Sequence, residues 1–84
     1  MGFRLRPDVL VTDTDDGLVL LDGRSGRYWE LNGTGAATLY GLLGGDSADL
    51  VAEALTARYD VPLDQAAADV TSFIGCLRSA GLVL

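Results

Sequence analysis

Few side chains in this 84-residue sequence could carry chemistry, because it contains one cysteine, Cys76, and no histidine. Histidine is the commonest general base and metal ligand, and it is the usual partner that activates a serine or cysteine nucleophile. Cys76 falls near the apolar stripe of a predicted helix, so we expect it to be a buried packing residue and not a reactive thiol. A lone cysteine cannot form an internal disulfide, which favours a reducing compartment. The sequence therefore predicts a protein that is not an enzyme and that has no metal or cofactor.

Two loops are similar to ligand-binding motifs but have simpler explanations. Residues Asp13–Gly17 include three carboxylates, yet their spacing differs from that of a calcium loop and the closing glutamate is missing. Residues Gly33–Thr38 follow a predicted strand and open a helix, as a dinucleotide-binding loop does, but no parallel βαβ unit surrounds them. We interpret the first loop as an acidic hairpin turn and the second as a helix N-terminus.

A third motif, Gly44-Gly45-Asp46-Ser47, resembles the segment of acyl and peptidyl carrier proteins in which the serine carries a phosphopantetheine arm. In that case Ser47 would be the attachment site. Such carriers are four-helix bundles with a long helix before the serine, whereas this sequence has β-branched and aromatic residues there. An N-cap at Asp46 or Ser47 explains the motif fully. The carrier is nevertheless an alternative function.

Charge and length narrow the classes of partner. The net charge is −6, and the six basic residues are arginines scattered along the chain. Without a basic patch to neutralise phosphates, we expect neither nucleic acid nor an anionic membrane surface as a partner. No apolar run reaches the roughly 18–20 residues that a membrane span needs, and Met1–Arg6 is not followed by the apolar region of a secretory signal. We therefore expect a single domain, residues 1–84, in the cytoplasm.

The first third of the sequence predicts three antiparallel strands. Asp8–Thr12 and Leu18–Leu21 are rich in valine and leucine and are separated by the acidic turn. Arg27–Leu31 alternates, with Tyr28 and Glu30 on one face and the other residues of the strand on the opposite face. Short connections favour antiparallel neighbours. The strand Arg27–Leu31 is therefore expected at an edge of the sheet.

After the third strand the apolar period changes to 3.6, which predicts three helices. Asn32 is expected to cap the first helix and Gly44-Gly45 to end it, with Tyr40 among its inward-facing residues. The second helix is expected to begin after Asp46 or Ser47 and to turn Leu50 inward. The third is expected to open at Leu63 or Asp64, and its apolar stripe comprises Ala66, Val70, Phe73, Ile74 and Leu77.

Three strands followed by three helices predict an α+β fold in which the helices cover one face of a small antiparallel sheet. This arrangement is similar to a winged helix-turn-helix. The third helix, however, carries Asp64 and Asp69 on its outer positions, which is unsuited to reading DNA.

The order of short motifs along the chain carries a family resemblance. The motifs are Gly17–Asp22, Ser25–Asn32, Leu39, Leu42, Leu43, Arg58–Val61, Ala67–Val70 and Leu77–Val83. Together they resemble the PqqD-like family, from about Asp8 to the end of the chain, and they are specific in their order and spacing although each is weak alone.

The resemblance implies a recognition element for the precursors of ribosomally synthesised, modified peptides. Within the family the sequence is most similar to the stand-alone recognition subunit of split lasso-peptide systems. Such a subunit is expected to bind the precursor's leader and present it to a separate transglutaminase-like leader peptidase and to a macrocyclase. The family implies no catalytic residue. A further alternative is a PqqD-like accessory chaperone of a radical SAM enzyme.

An edge strand offers unpaired N–H and C=O groups, with which a disordered leader can pair as a fourth strand. The resemblance places a leader tyrosine and proline in apolar pockets between the third strand and the third helix. Glu30 and Asp69 are candidate partners for a basic leader residue. The residues expected to bind the leader are Arg27, Tyr28, Trp29, Glu30, Leu31, Asp69, Val70, Phe73, Ile74 and Leu77.

Three points stay open at the level of sequence. A shift of one residue in register exchanges Tyr28 and Trp29, so either could face the leader. Val70, Ile74 and Leu77 could belong to the core instead of to a pocket. An exposed edge strand can also pair with a second copy of itself, so the oligomeric state is undetermined.

Overall fold

The structure, a computed structural model, describes residues 2–84 and contains a three-stranded sheet followed by three helices. The strands are β1 (Val9–Thr14), β2 (Gly17–Asp22) and β3 (Tyr28–Asn32), and the helices are α1 (Gly33–Leu43), α2 (Ala48–Tyr59) and α3 (Leu63–Ser79). The predicted α+β fold is confirmed.

The sheet is an antiparallel meander with the order β1-β2-β3. Thr14 pairs with Gly17, so only Asp15 and Asp16 remain as the connecting turn and β1 is longer than predicted. A Cβ at Gly17 would lie 1.9 Å from the carbonyl oxygen of Leu31, which restricts this position to glycine. The third strand begins at Tyr28, one residue later than expected, and ends at Asn32.

Residues paired directly across a sheet share a face, and the register therefore defines an inner and an outer face. Leu18 pairs with Leu31 and Leu20 pairs with Trp29. Because Leu18 and Leu20 are fully buried, and α1 packs against β2 and β3, these four residues form the inner face. The outer face carries Val19, Leu21, Tyr28 and Glu30.

Each helix begins at a recognisable residue. The Asn32 side chain accepts a hydrogen bond from the Gly35 amide at 2.9 Å and caps α1, as predicted. Ser47, and not Asp46, caps α2 by accepting from the Leu50 amide. Pro62 precedes α3, where its missing N–H costs nothing because the first amides of a helix have no intrahelical partner.

Two hydrophobic clusters fill the interior. The first lies between the sheet, α1 and α3, and the second lies among the three helices. Phe3 and Phe73 pack against both clusters and join them. The buried members of the first are Val9, Leu18, Leu20, Ala36, Leu39, Leu77 and Leu82, and those of the second are Leu42, Val51, Ala52, Leu55, Ala66 and Val70.

The two terminal segments pair with each other, a feature that the sequence did not predict. Leu5 and Val83 form an antiparallel bridge, and the Arg6 amide donates to the Leu82 carbonyl at 2.9 Å. Leu82 is fully buried in the first cluster. The pairing therefore places the last residues of the chain over the core.

The inward-facing predictions for Tyr40, Leu50 and Cys76 are wrong. Tyr40 and Leu50 are about half exposed, at 47% and 53%, and Cys76 is also exposed. The hydroxyl of Tyr40 reaches the carboxylate of Asp13 on β1 instead of entering the core. The buried stripe of α2 starts at Val51, and Cys76 lies about 100° around the helix from buried Leu77.

None of the helices within residues 2–84 is long and apolar enough to cross a bilayer.

Candidate functional site

The open side of β3 is the most distinctive surface of the sheet. In the part of the chain that the structure describes, β3 pairs with β2 on one side only. The Asp22 amide donates to the Arg27 carbonyl at 2.9 Å. Because hydrogen-bonded pairs alternate along an antiparallel ladder, Trp29 and Leu31 bond to β2 while the backbones of Tyr28 and Glu30 point to the open side. Those groups are available to another strand.

Three half-buried apolar side chains lie on the helix side of the sheet, around one part of the core. Trp29 and Leu31 come from the inner face of β3 and Phe73 comes from α3, and all three pack against the first hydrophobic cluster. The guanidinium carbon of Arg27 lies 5.2 Å from the centroid of the Trp29 ring, a cation–π distance. We call Trp29, Leu31 and Phe73 the apolar wall of the edge.

The other predicted residues of α3 occupy different environments. Val70 and Leu77 are 1% and 5% exposed, so they support the apolar wall from within the core. Ile74 is half-buried and packs against the cluster that includes α2. Asp69 is exposed. Phe73 therefore packs against the same cluster as Trp29 and Leu31 of β3, whereas Ile74 packs only against the second cluster.

Tyr28 and Glu30 are on the outer face of the sheet, away from the apolar wall. Tyr28 is 64% exposed, and Glu30 is exposed beside Val19 across the ladder. The register thus directs Trp29 to the helix side of the sheet and Tyr28 to the opposite side.

A network of ion pairs holds the loop that leads into β3. Arg6 Nη2 lies 2.5 Å from Asp22 Oδ1, and Arg24 Nε lies 2.8 Å from Asp8 Oδ2. A hydrogen bond from the Arg24 amide, together with the Arg6 guanidinium, lowers the pKa of the nearly buried Asp22 carboxyl below its ordinary value, although burial acts in the opposite direction. This network fixes the start of the edge strand.

The charged residues predicted for the site have no such partners. Within residues 2–84, ion pairs join only Arg6, Asp8, Asp22 and Arg24. Glu30 and Asp69 therefore form no ion pair in the described structure, and Arg27 stacks on Trp29. The described residues also contain no cluster of three or more side chains that could hold a metal ion.

The structure adds a hollow that the sequence did not reveal. It has a volume of about 520 Å³ and lies at the end of β3, beside the β1–β2 turn. Asp16 and Glu30 line the same hollow, which the sequence could not show without the register of both hairpins. The residues that line it are Thr14, Asp16, Leu18, Val19, Glu30, Leu31 and Asn32.

Ser47, the attachment site in the carrier alternative, has a structural role. Its Oγ accepts from the Leu50 amide at 3.2 Å at the start of α2. The fold around it is a sheet with three helices and not the four-helix bundle that a carrier requires. The geometry therefore disfavours the carrier.

An α+β domain with an open sheet edge beside an apolar helix face belongs to the class that can dock an extended peptide. The family model for coenzyme PQQ synthesis protein D matches residues 17–83. The chain thus belongs to the PqqD family, as the resemblance implied.

Two solved structures are similar over nearly the whole length. One, described as lasso peptide synthetase B1 complexed with the leader peptide, is 45% identical with a TM-score of 0.92, covering 100% of this chain and 99% of that one. The other, TbiB1 in complex with the TbiA(beta) leader peptide, is 25% identical with a TM-score of 0.85, covering 95% and 93%. No curated protein matches the chain.

Proposed function

We propose that this protein binds the leader segment of a ribosomally synthesised precursor peptide, in a lasso-peptide pathway, by adding the leader to β3 as a fourth strand. The observation that carries the proposal is the open edge of β3 next to the apolar wall. The 45%-identical structure, which is a complex with a leader peptide, supports it.

The backbone groups of Tyr28 and Glu30 would provide hydrogen bonds to the leader, and this part of the affinity tolerates many sequences. Side chains of the added strand alternate between the two faces. Those beside Trp29 and Leu31 would enter the space between β3 and α3 and contact Phe73. Val70 and Leu77 would act indirectly by holding this wall, because they are buried.

The magnitudes are sufficient for a tethering function. Each large apolar side chain that becomes well buried contributes about 1.5–3 kcal/mol. Two or three such anchors with strand pairing, less the cost of ordering the leader, give a dissociation constant on the order of nanomolar to micromolar. Holding a substrate in this way raises its effective concentration at a second enzyme.

In this proposal the protein is an adaptor in the cytoplasm and not a catalyst. It presents the leader to a separate transglutaminase-like peptidase, and the core peptide then reaches a macrocyclase. The alternative within the family is an accessory chaperone of a radical SAM enzyme. The two differ in which enzyme joins the loaded adaptor, and size-exclusion chromatography of each mixture distinguishes them.

Fluorescence polarisation with synthetic leader peptides tests the proposal. The probes are the leader bound by the 45%-identical protein and the leader of any short precursor gene beside this one, each with a scrambled control. Saturable binding of an intact leader, absent for its scrambled form, is the expected result. If none of these leaders binds at concentrations up to about 100 μM, the proposal is wrong.

A further inference from the structure

The hollow at the end of β3 is on the path that an added strand would follow. It includes Leu31 and Asn32 of the open edge and extends across the outer face to Val19 and Thr14. A strand on the edge of β3 would therefore pass directly beside an open space.

Two carboxylates border this space. Glu30 is on the outer face of β3 and Asp16 is in the β1–β2 turn, and both line the hollow. Neither has an ion-pair partner among residues 2–84. The side-chain oxygen of Asn32 caps α1, and Asp16 and Glu30 are the charged residues that line the hollow.

The faces of the sheet determine which leader side chains can reach these carboxylates. A leader residue beside Trp29 or Leu31 points to the inner face, whereas a residue beside Glu30 points to the outer face. Because side chains alternate with a period of two, a residue near Glu30 is an odd number of positions away from the apolar anchors. An opposite charge at this position forms a favourable cross-strand pair.

We propose, building on the proposed function, that the hollow bordered by Glu30 and Asp16 is a subsite for one basic side chain of the leader. That side chain lies an odd number of residues from the apolar anchors of the leader. Binding therefore depends on the charge of this side chain and on the register of the leader strand. The apolar wall alone would accept a leader shifted by two residues. A fixed charge on the other face distinguishes these registers.

A charge scan of the leader tests this proposal. The probe is the leader bound by the 45%-identical protein, synthesised with a single lysine, or a single glutamate, at each successive position. For the unmodified protein, we expect lysine to bind about two- to fivefold more tightly than glutamate at outward positions near Glu30. At the neighbouring inward positions the ratio should be close to one, and 0.5 M salt should reduce the preference because the pair is exposed.

Variants of the protein show which residues cause the preference for lysine over glutamate. Glu30→Arg should reverse it and Asp16→Asn should weaken it, while the matched charge reversal Glu53→Arg on the exposed side of α2 should leave it unchanged. If the leader binds but lysine and glutamate are equivalent everywhere, or if Glu53→Arg has the same effect as Glu30→Arg, this inference is overturned and the proposed function stands. If no peptide in the panel binds, both are overturned.

Discussion

Phe73 is the residue of α3 that packs against the same hydrophobic cluster as Trp29 and Leu31 of β3. It packs against both hydrophobic clusters but stays half-buried, so part of its ring remains available. Its neighbour Ile74 is equally half-buried but contacts only the second cluster. Comparing substitutions at the two residues therefore separates a contribution to stability from a contribution to peptide binding.

Replacing Phe73 with alanine should weaken binding of the leader tenfold or more, because an anchor loses a contact worth about 1.5–3 kcal/mol. Ile74→Ala should weaken it less than threefold. Both variants should lose about 1–3 kcal/mol of unfolding free energy, less than the range for a fully buried side chain. Fluorescence polarisation and urea unfolding of the two variants measure these effects. Equal losses of binding would remove Phe73 from the site.

Asp22 makes the stability of the protein depend on pH. Its pKa is lowered from the ordinary value of 3.8 by the Arg24 amide and the Arg6 guanidinium. A carboxylate with a lowered pKa in the folded state contributes stability above its unfolded pKa, and this contribution is lost as the pH falls through the folded pKa. The window of the effect is therefore below about pH 4.

We expect Asp22→Asn to melt at a lower temperature than the unmodified protein at pH 7, because it leaves the Arg6 guanidinium with a weaker partner. The difference should be constant above about pH 5 and should narrow below pH 3.8, the ordinary value for this group. Thermal melts followed by circular dichroism between pH 2.5 and 7 measure it. A difference that stays unchanged down to pH 2.5 would contradict the assigned role of the ion pair.

At the scale of elements, the backbone groups on the two sides of β3 have different partners. The carbonyl of Arg27 accepts from β2, and by alternation so do the backbone groups of Trp29 and Leu31. The amide of Glu30 points to the open side. Proline is tolerated on an edge strand only where the missing N–H faces outward, so a single substitution can remove the docking group and keep the sheet.

Glu30→Pro should therefore retain the fold but bind the leader at least tenfold more weakly, because it removes one docking hydrogen bond and obstructs the added strand. Glu30→Gln keeps the backbone N–H and serves as the control for the lost charge. Its affinity for the leader should fall by no more than about fivefold. Circular dichroism verifies the fold and polarisation measures binding. Full affinity in the proline variant would exclude strand addition at this edge.

The cap of α2 gives a second prediction for an element. Ser47→Ala should lower the free energy of unfolding by about 1 kcal/mol, because the Leu50 amide loses its acceptor. Binding of the leader should be unchanged, since Ser47 belongs neither to the open edge of β3 nor to the apolar wall. The wild-type protein, incubated with a phosphopantetheinyl transferase and examined by mass spectrometry, tests the carrier, with Ser47→Ala as the control. Phosphopantetheine attached to Ser47 would favour that alternative.

The sequence predicted the strands and helices well, because strand alternation and helix capping depend on residues that are close together in the chain. The alternation around Trp29 identified β3, and Asn32 marked the change from strand to helix. The orientation of Tyr40 and Cys76 was wrong because the phase of a helix depends on which neighbours cover it. Asp16 and Glu30 are fourteen positions apart in the sequence, so their proximity required the register of both hairpins.

Contacts between distant parts of the chain were predicted least well from the sequence. The pairing of Leu5 with Val83 joins residues from opposite ends of the chain, and no periodicity of either segment indicates it. The ion pair between Arg6 and Asp22 also depends on this closure, since Arg6 donates its amide to Leu82. A small domain buries a limited core, so such closing contacts matter for its stability.

A fourth strand from the leader should stabilise the whole domain, because the peptide binds the folded chain and not the unfolded one. At a free peptide concentration ten times the dissociation constant, the gain is about 1.4 kcal/mol. For a domain of this size that corresponds to an increase in Tm of about 6–11 °C. Differential scanning fluorimetry with leader and scrambled peptide measures the shift, and Glu30→Pro should abolish it. A shift of equal size with the scrambled peptide would show that the stabilisation is not caused by specific docking at β3.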